Sequence, residues 1–403
     1  MSGDMDFERD ADVVVAGAGV AGIAAALECA RSGLSTTLVE RSILPGGLAT
    51  GGLIYVYLPL CDGNGRQVTF GIAEELLHLS LRYGPGDVPA GWRHARDADE
   101  TRRYRTVFSP ASFVLALDEV LEAAGVELLF DTLVCATRTE GDRVTALEVE
   151  NKSGRGVLAA KCFVDATGDA DVAHRAGAQT VTAQNWLSMW ALVASLDRAR
   201  EAVDAASGGP LLDMLILGAF NDGTDAPGGS GKFDGTDADD VTRFVLESRR
   251  LLRDYYRRKH AGGTDRRDHF PVTIPTMPQL RTTRRIVGRT TLTDGQDGQR
   301  FDDSIGLVAD WRKPGFVWEV PYGTLVPTGV RGLLTAGRCI SSSGDAWEVT
   351  RVIPAAALTG QSAGAAAALA VENHTTPDAL DAADVQTRLS ARGVRLHLDE
   401  LDA

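Results

Sequence analysis

The sequence ADVVVAGAGVAGIAAALECARSGLSTTLVER runs from Ala11 to Arg41 and switches twice between strand and helix patterning. Val13–Ala16 is a short apolar run with β-branched residues, suited to a buried parallel strand. Gly17, Ala18, Gly19, Val20, Ala21 and Gly22 follow it as a GxGxxG. Val20 to Arg31 is alanine-rich and predicts a helix, with Gly33 just past its end. Ser35–Glu40 predicts a second strand. Strand, glycine turn, helix and strand at this length form a βαβ unit of dinucleotide-binding type. Gly17 permits the tight turn, Gly19 lets backbone approach a pyrophosphate, and Gly22 lets helix and strand pack closely. The helix N-terminus offers amide donors and partial positive charge to phosphates. Glu40 lies 18 residues beyond Gly22 and is placed to accept hydrogen bonds from a ribose 2′-hydroxyl.

Downstream, the chain returns twice to the pattern of a short apolar strand ending in a glycine turn. The first return is CFVDATGDADV, Cys162–Val172. The second is GLLTAGRCISSSGDAWEVTRVIPAAALTGQSAGAAAAL, Gly332–Leu369. In a doubly wound sheet such strand ends line the ligand crevice, and a long ligand such as FAD would need these later contacts. Ahead of the first return, Ser42–Gly65 reads as a glycine loop followed by an aromatic, antiparallel run, and Ile72–Tyr83 as a helix. Pro85–Tyr104 is rich in Gly, Pro and charge and reads as exposed. Ser109 can cap a helix from Pro110 to Ala124, with proline in the first position. Glu127–Asp165 reads as a β-meander and a return strand, Trp186–Leu196 as apolar, and Ser207–Asp240 as a mobile surface loop. Val241–His260 is a charged helix by pattern. Pro271–Thr293, Phe316–Pro327 and Val330–Ile340 carry strand character, and Ile353–Val371 reads as a helix of small residues. The tail from Asn373 is polar, with a short helix at most.

The 403 residues allow two or three domains, or one large domain with an inserted cap. A net charge of −14 argues against nucleic acid and anionic membranes as partners. The 5 cysteines are widely spaced without a CxxC, and the 7 histidines show no metal-ligand spacing, so no metal is expected. Scattered thiols suit a reducing cytoplasm. The acidic N-terminus lacks the pattern of a secretory signal. The runs Val13–Leu27 and Ala363–Val371 fall short of the ~20 residues that span a bilayer.

On these motifs the sequence resembles the FAD-dependent oxidoreductases related to fumarate reductase and glutathione reductase. Within them it is similar to a bacterial group whose C-terminal signature is AGRCIS, RVxP and GQxAG. VERSILPGGLATGG, FVDATGDADVAHRAGA, RTTRRIVG and VPYGTLVP occur in the same order as in that family. The resemblance implies non-covalent FAD and an α/β fold. A Rossmann-like FAD-binding domain with a parallel sheet and a β-meander would span residues 1–52, 105–180 and 325–375. An inserted α+β substrate or cap domain would span 53–104 and 181–324, with a C-terminal tail at 376–403. It implies that Glu40 and Arg41 hold the adenosine ribose. Gly46, Gly47, Ala49 and Thr50 would wrap the pyrophosphate and flavin edge, and Val134 would offer its backbone to adenine. Ala166, Thr167, Gly168 and Asp169 would close over the pyrophosphate, with Gly337 and Arg338 at the ribityl phosphate. Arg338 stands where relatives often carry aspartate and would serve the phosphates as a cation. Val352 and Ile353 would open a helix directed at the pyrimidine end of the flavin.

The chemistry falls to the residues around that helix. Relatives commonly carry a His–Glu pair where this chain has Gly344 and Asp345. Asp345, Glu348 and Arg351 are the ionisable groups left, a carboxylate serving as base and Arg351 as an oxyanion contact. Arg281, Arg284 and Arg285 suggest an anion contact or pairing with the surplus acids. Tyr55, Tyr57, Trp318 and Tyr322 are candidates for a substrate wall, though such aromatics often belong to the core, and Tyr322 also stands as a reserve catalytic group. The expected activity is two-electron oxidation or reduction of a small metabolite by hydride transfer. The alternatives are a flavin monooxygenase using NAD(P)H and dioxygen, and a redox-neutral or RNA-acting flavoprotein, which the charge disfavours. Oligomeric state, substrate and electron partner stay open.

Overall fold

The computed structural model describes residues 5–96, 103–220, 223–227 and 231–401. A seven-stranded sheet organises the chain, in the order Glu127–Leu129, Thr36–Val39, Phe7–Ala16, Gly154–Asp165, Arg143–Asn151 and Leu133–Glu140. Leu333–Thr335 pairs with the far end of Gly154–Asp165, opposite the position where the meander leaves it. The strands on either side of Phe7–Ala16 run parallel to it, and the meander is antiparallel. Ala16 sits opposite both Val39 and Asp165, and Thr335 sits opposite Asp165. This register delivers four strand ends to one edge of the sheet, where ligands of such folds bind.

The helix Val20–Arg31 has the bounds its alanine pattern predicts. It packs against Ile353–Glu372, a buried helix apolar on nearly every face. Its glycines face the first helix. A Cβ on Gly360 would lie 2.1 Å from Ala21 O, and one on Gly364 would lie 2.6 Å from Ala25 O. Glycines four apart on one helix therefore seat against alanines four apart on the other. Glu28 is buried beneath this crossing, paired with Arg392 Nε at 3.0 Å and Gln361 Nε2 at 3.2 Å.

Outside the main sheet, Asp213–Gly218, Ser188–Ser195 and His269–Thr273 form a three-stranded antiparallel sheet. The long helix Ala238–Ala261 covers it, with Met189, Ala191, Val193, Leu252 and Tyr256 between them. Ser207–Asp240 is thus not a loop throughout, because Asp213–Gly218 is a strand of this sheet and Phe233–Asp234 pairs with Gln184–Asn185. Part of that segment lies outside the described residues. Pro85–Tyr104 is not wholly exposed either, since Trp92 is buried and Arg103 is buried against the carbonyls of Asp310 and Trp311. The C-terminal segment carries the helix Ala382–Ala391, whose Val385 and Leu389 enter the main core at helical spacing. Among the described residues, no single helix is long and apolar enough to cross a membrane.

Candidate cofactor cleft and its catalytic end

The four strand ends wall a cleft of about 390 Å³. Gly17, Gly19, Val20 and Ala21 form its floor, and Glu40, Arg41, Ser42 and Leu44 form one side. Gly46–Ala49 and Gly51, Ala166–Gly168 and Ala336–Arg338 enclose it, and Thr276–Pro278, Arg351, Ile353 and Ala356 complete the wall. The backbone around the floor is drawn tight. A Cβ on Gly17, which has φ +97°, would lie 2.6 Å from Ala166 O, and one on Gly22 would lie 1.8 Å from Gly17 O. Gly19 differs. It has ordinary backbone angles, and nothing lies within 4 Å of where its Cβ would project. That vacant position opens at the N-terminus of the first helix, which is the cradle a pyrophosphate needs.

Glu40 binds both neighbouring loops. Its Oε2 accepts from Ala18 N at 2.8 Å and its Oε1 from Ser42 N at 2.9 Å. Each oxygen keeps a lone pair for a ribose hydroxyl. The glycine loop after it uses left-handed turns at Gly46 and Gly47, and Gly46 N donates to Ala18 O at 2.7 Å. Ala18, Gly22, Thr50, Val134, Asp169 and Val352 do not reach the wall of the cleft. Ala18 and Gly22 shape the turn from behind, and Thr50 Oγ1 donates to Pro45 O at 2.6 Å. Val134 packs in the core beneath the meander, and Val352 caps the helix at its edge.

Arg338 corrects an expectation. Its Nε donates to Gly168 O at 2.8 Å, its Nη1 to Leu280 O at 2.7 Å and its Nη2 to Asp169 at 2.6 Å. Asp169 neutralises its charge, so this arginine clamps two loops and is no open cation for phosphates.

Asp165 ends its strand inside the protein. It accepts from Thr167 N at 3.1 Å, Thr167 Oγ1 at 2.6 Å and Ala173 N at 2.9 Å, which fixes the turn over the cleft. Burial outweighs these donors and pushes its carboxyl up from 3.8 to about 6. The folded chain therefore holds this proton more tightly than the unfolded chain. The stability it contributes is complete below about pH 3.8 and is lost as pH rises through about 6. Urea unfolding of the wild type should show a fall over this window, of up to about 3 kcal/mol, that Asp165→Asn lacks. Parallel pH profiles for the two proteins would contradict the assignment.

At the other end, Arg351 donates through Nη2 to the Glu348 carboxylate. Its Nε is buried without an acceptor among the described residues. Arg281 approaches the pair, and its guanidinium is pushed down to about 10 by burial first and by Arg351 next, with Glu348 opposing. It stays charged at neutral pH and stands 5.7 Å from the ring of Trp190, whose own Nε1 is buried without an acceptor. Arg351, Arg281 and Glu348 thus meet beside the cleft wall that Arg351 lines. Arg284 and Arg285 do not join them. Strand alternation sends Arg284 to Asp171, at 3.3 Å, and Arg285 over Trp347, at 5.8 Å.

The remaining chemical candidates are corrected. Asp345 pairs with Lys313 at 2.7 Å and Arg312 at 3.0 Å on the outer side of its helix, and these cations hold its carboxyl below the usual value. Tyr322 donates to Pro377 O at 2.8 Å within the core, and burial raises its phenol far from any working range. Tyr55, Tyr57 and Trp318 are fully buried core residues. The wall residues Thr276, Met277 and Pro278 carry no local signal of their place, because non-local bonds, from Thr276 N at 2.8 Å and Thr276 Oγ1 at 3.2 Å to Gly51 O, bring them to the cleft. The flanking prolines of IPTMPQ were the available hint of an ordered loop.

Comparison with known proteins gives a family and a fold. A family model described as FAD dependent oxidoreductase matches residues 12–206 and 195–389. The probable electron transfer flavoprotein-quinone oxidoreductase YgcN of Escherichia coli (strain K12) is 49% identical over 52 residues, which are 13% of this chain and only 12% of that protein. The p-nitrophenol 4-monooxygenase PnpA of Pseudomonas putida DLL-E4 has a similar fold, with a TM-score of 0.51 at 14% identity over 96% of this chain and 88% of that one. A geranylgeranyl bacteriochlorophyll reductase-like protein of Thermoplasma acidophilum aligns with a TM-score of 0.48 at 13% identity, over 96% of this chain and 83% of that one.

Proposed function

The chain belongs to the FAD dependent oxidoreductase family, and from that premise we propose that it moves a hydride between a small anionic metabolite and non-covalent FAD. The observation behind this reading is the Arg351–Glu348 pair at the end of the cleft, beside the N-terminus of Ile353–Glu372. When bound, FAD supplies the two-electron acceptor or donor. Gly19, Val20 and Ala21 at the N-terminus of the first helix, with Gly47 and Leu48, would bind its pyrophosphate through backbone N–H groups, and Glu40 and Arg41 its adenosine ribose. The Nε of Arg351, without an acceptor among the described residues, would bind an oxyanion of the metabolite. Glu348 would take or return the proton at its carboxylate. Thr276–Pro278 would exclude water from that end of the cleft. We take nucleic acid and anionic membranes to be disfavoured partners, on a net charge of −14. The cytoplasm is the expected location, because the 5 cysteines stand as free thiols, which a reducing compartment preserves.

The test is anaerobic mixing of the FAD-loaded protein with 2-hydroxy- and 2-amino-carboxylates, with no nicotinamide present. At least one should bleach the visible flavin band. Bleaching by NADH or NADPH and by no carboxylate would overturn the reading in favour of a monooxygenase.

A further inference from the structure

Behind the Thr276–Pro278 wall lies a second cavity of about 100 Å³. Met189, Phe244, Val245, Pro275, Met277 and Pro278 give it apolar sides. Its polar wall atoms are already engaged. Ser248 Oγ donates to Ser188 O at 3.0 Å. The Gln279 amide donates to Gly52 O at 2.6 Å and Trp190 O at 3.1 Å, and accepts from Trp190 N at 2.9 Å. A buried water needs about 2–4 polar partners, and these walls spare almost none. An apolar recess of this size between helix, sheet and loop is therefore better suited to an alkyl group than to water. Arg249 stands exposed at its mouth, with no hydrogen bond or ion pair among the described residues. Met277 lines both this cavity and the cofactor cleft.

We propose that this cavity is a second small-molecule site, for a short branched-chain carboxylate whose alkyl group fills the hollow and whose carboxylate pairs with Arg249. An apolar cavity of ~150 Å³ takes benzene, so this one suits about four carbons. A guanidinium at the mouth pairs with a carboxylate in a bidentate fork. Thr276, Met277 and Pro278 line both compartments, and of the three Met277 has the long, flexible side chain, so occupancy is felt at the flavin. The site stands apart from the hydride-transfer reading of the cleft and does not need it.

The experiment is calorimetric titration of FAD-loaded protein with isovalerate, with acetate and isovaleramide as probes lacking the alkyl group and the charge. Isovalerate should bind at least tenfold tighter than either and should shift the visible flavin band. Arg249→Gln should weaken isovalerate about tenfold. Val245→Phe, which fills the hollow, should abolish binding while FAD content stays at the wild-type level. Arg351→Ala should leave isovalerate affinity unchanged. Equal affinity for acetate and isovalerate, equal affinity in Arg249→Gln and wild type, or binding lost in Arg351→Ala and kept in Arg249→Gln would each overturn the site. The last outcome would place the ligand in the cofactor cleft. Should Val245→Phe fail to fold, the exposed Arg249→Gln variant alone decides.

Discussion

Arg351→Ala should weaken sulfite binding to the FAD-loaded protein about a hundredfold, or ~3 kcal/mol, while FAD stays bound. Sulfite adds to a flavin as an anion and bleaches its visible band, so its affinity reads the positive charge held beside the ring without knowledge of the natural substrate. Arg351 is the group best placed to provide that charge. It lines the cleft just before the N-terminus of a 20-residue helix, and its Nε is buried without an acceptor. A preorganised donor in a site shielded from water is worth far more than the same donor in solvent. The sign for its partner is opposite. Glu348→Gln removes a negative charge from the same end and should leave sulfite affinity equal or higher, while flavin reduction by a metabolite slows. Arg351→Lys keeps the charge and should recover part of the loss. Unchanged sulfite affinity in Arg351→Ala would move the anion contact elsewhere, to Arg281 first.

Gly360→Ala and Gly19→Ala should fail in different ways, although both glycines border the same helix. A methyl on Gly360 would lie 2.1 Å from Ala21 O and 2.9 Å from Ala21 Cα, all backbone of the first helix. Nothing there can give without moving that helix, and Ala21 lines the cleft. Overpacking of this kind costs ~1–3 kcal/mol, set against up to ~1 kcal/mol of gained helix propensity. With rigid backbone as the obstacle, the upper end applies, and Gly360→Ala should lower the urea midpoint and lose FAD together. A methyl on Gly19 meets nothing within 4 Å. Gly19→Ala should unfold within ~0.5 kcal/mol of wild type when FAD is absent. It should nevertheless bind FAD about a hundredfold more weakly, because its methyl takes the room of a phosphate oxygen. Equal FAD affinity in Gly19→Ala would show that the vacancy is not the phosphate cradle.

Local signals carried the sequence reading furthest. The strand–turn–helix–strand unit was legible because each step is written within a few residues. The same holds for the helix Pro110–Ala123, where Ser109 Oγ accepts from Ser112 N at 3.3 Å and proline takes the first position. Non-local partners were not legible. Arg338 looks like an open cation until Asp169 is seen against it, and Asp345 looks available until Lys313 and Arg312 take its oxygens. Composition also misled. Averaging over Ser207–Asp240 hid the apolar run Leu211–Phe220, which holds a strand, behind the glycines and aspartates that follow it. The aromatic candidates failed for a related reason. Tyr55, Tyr57, Trp318 and Tyr322 have the composition of a substrate wall, yet the fold turns them inward. Trp190, not one of these four, stands against the Arg281 guanidinium.

The most direct measurement of the central claim is denaturation of the purified protein and analysis of what enters the supernatant. Heat or acid should release FAD, close to one per chain, with no flavin left on the precipitated polypeptide. A colourless protein that FAD cannot reconstitute, or one that releases only NAD, would contradict the assignment of the cleft.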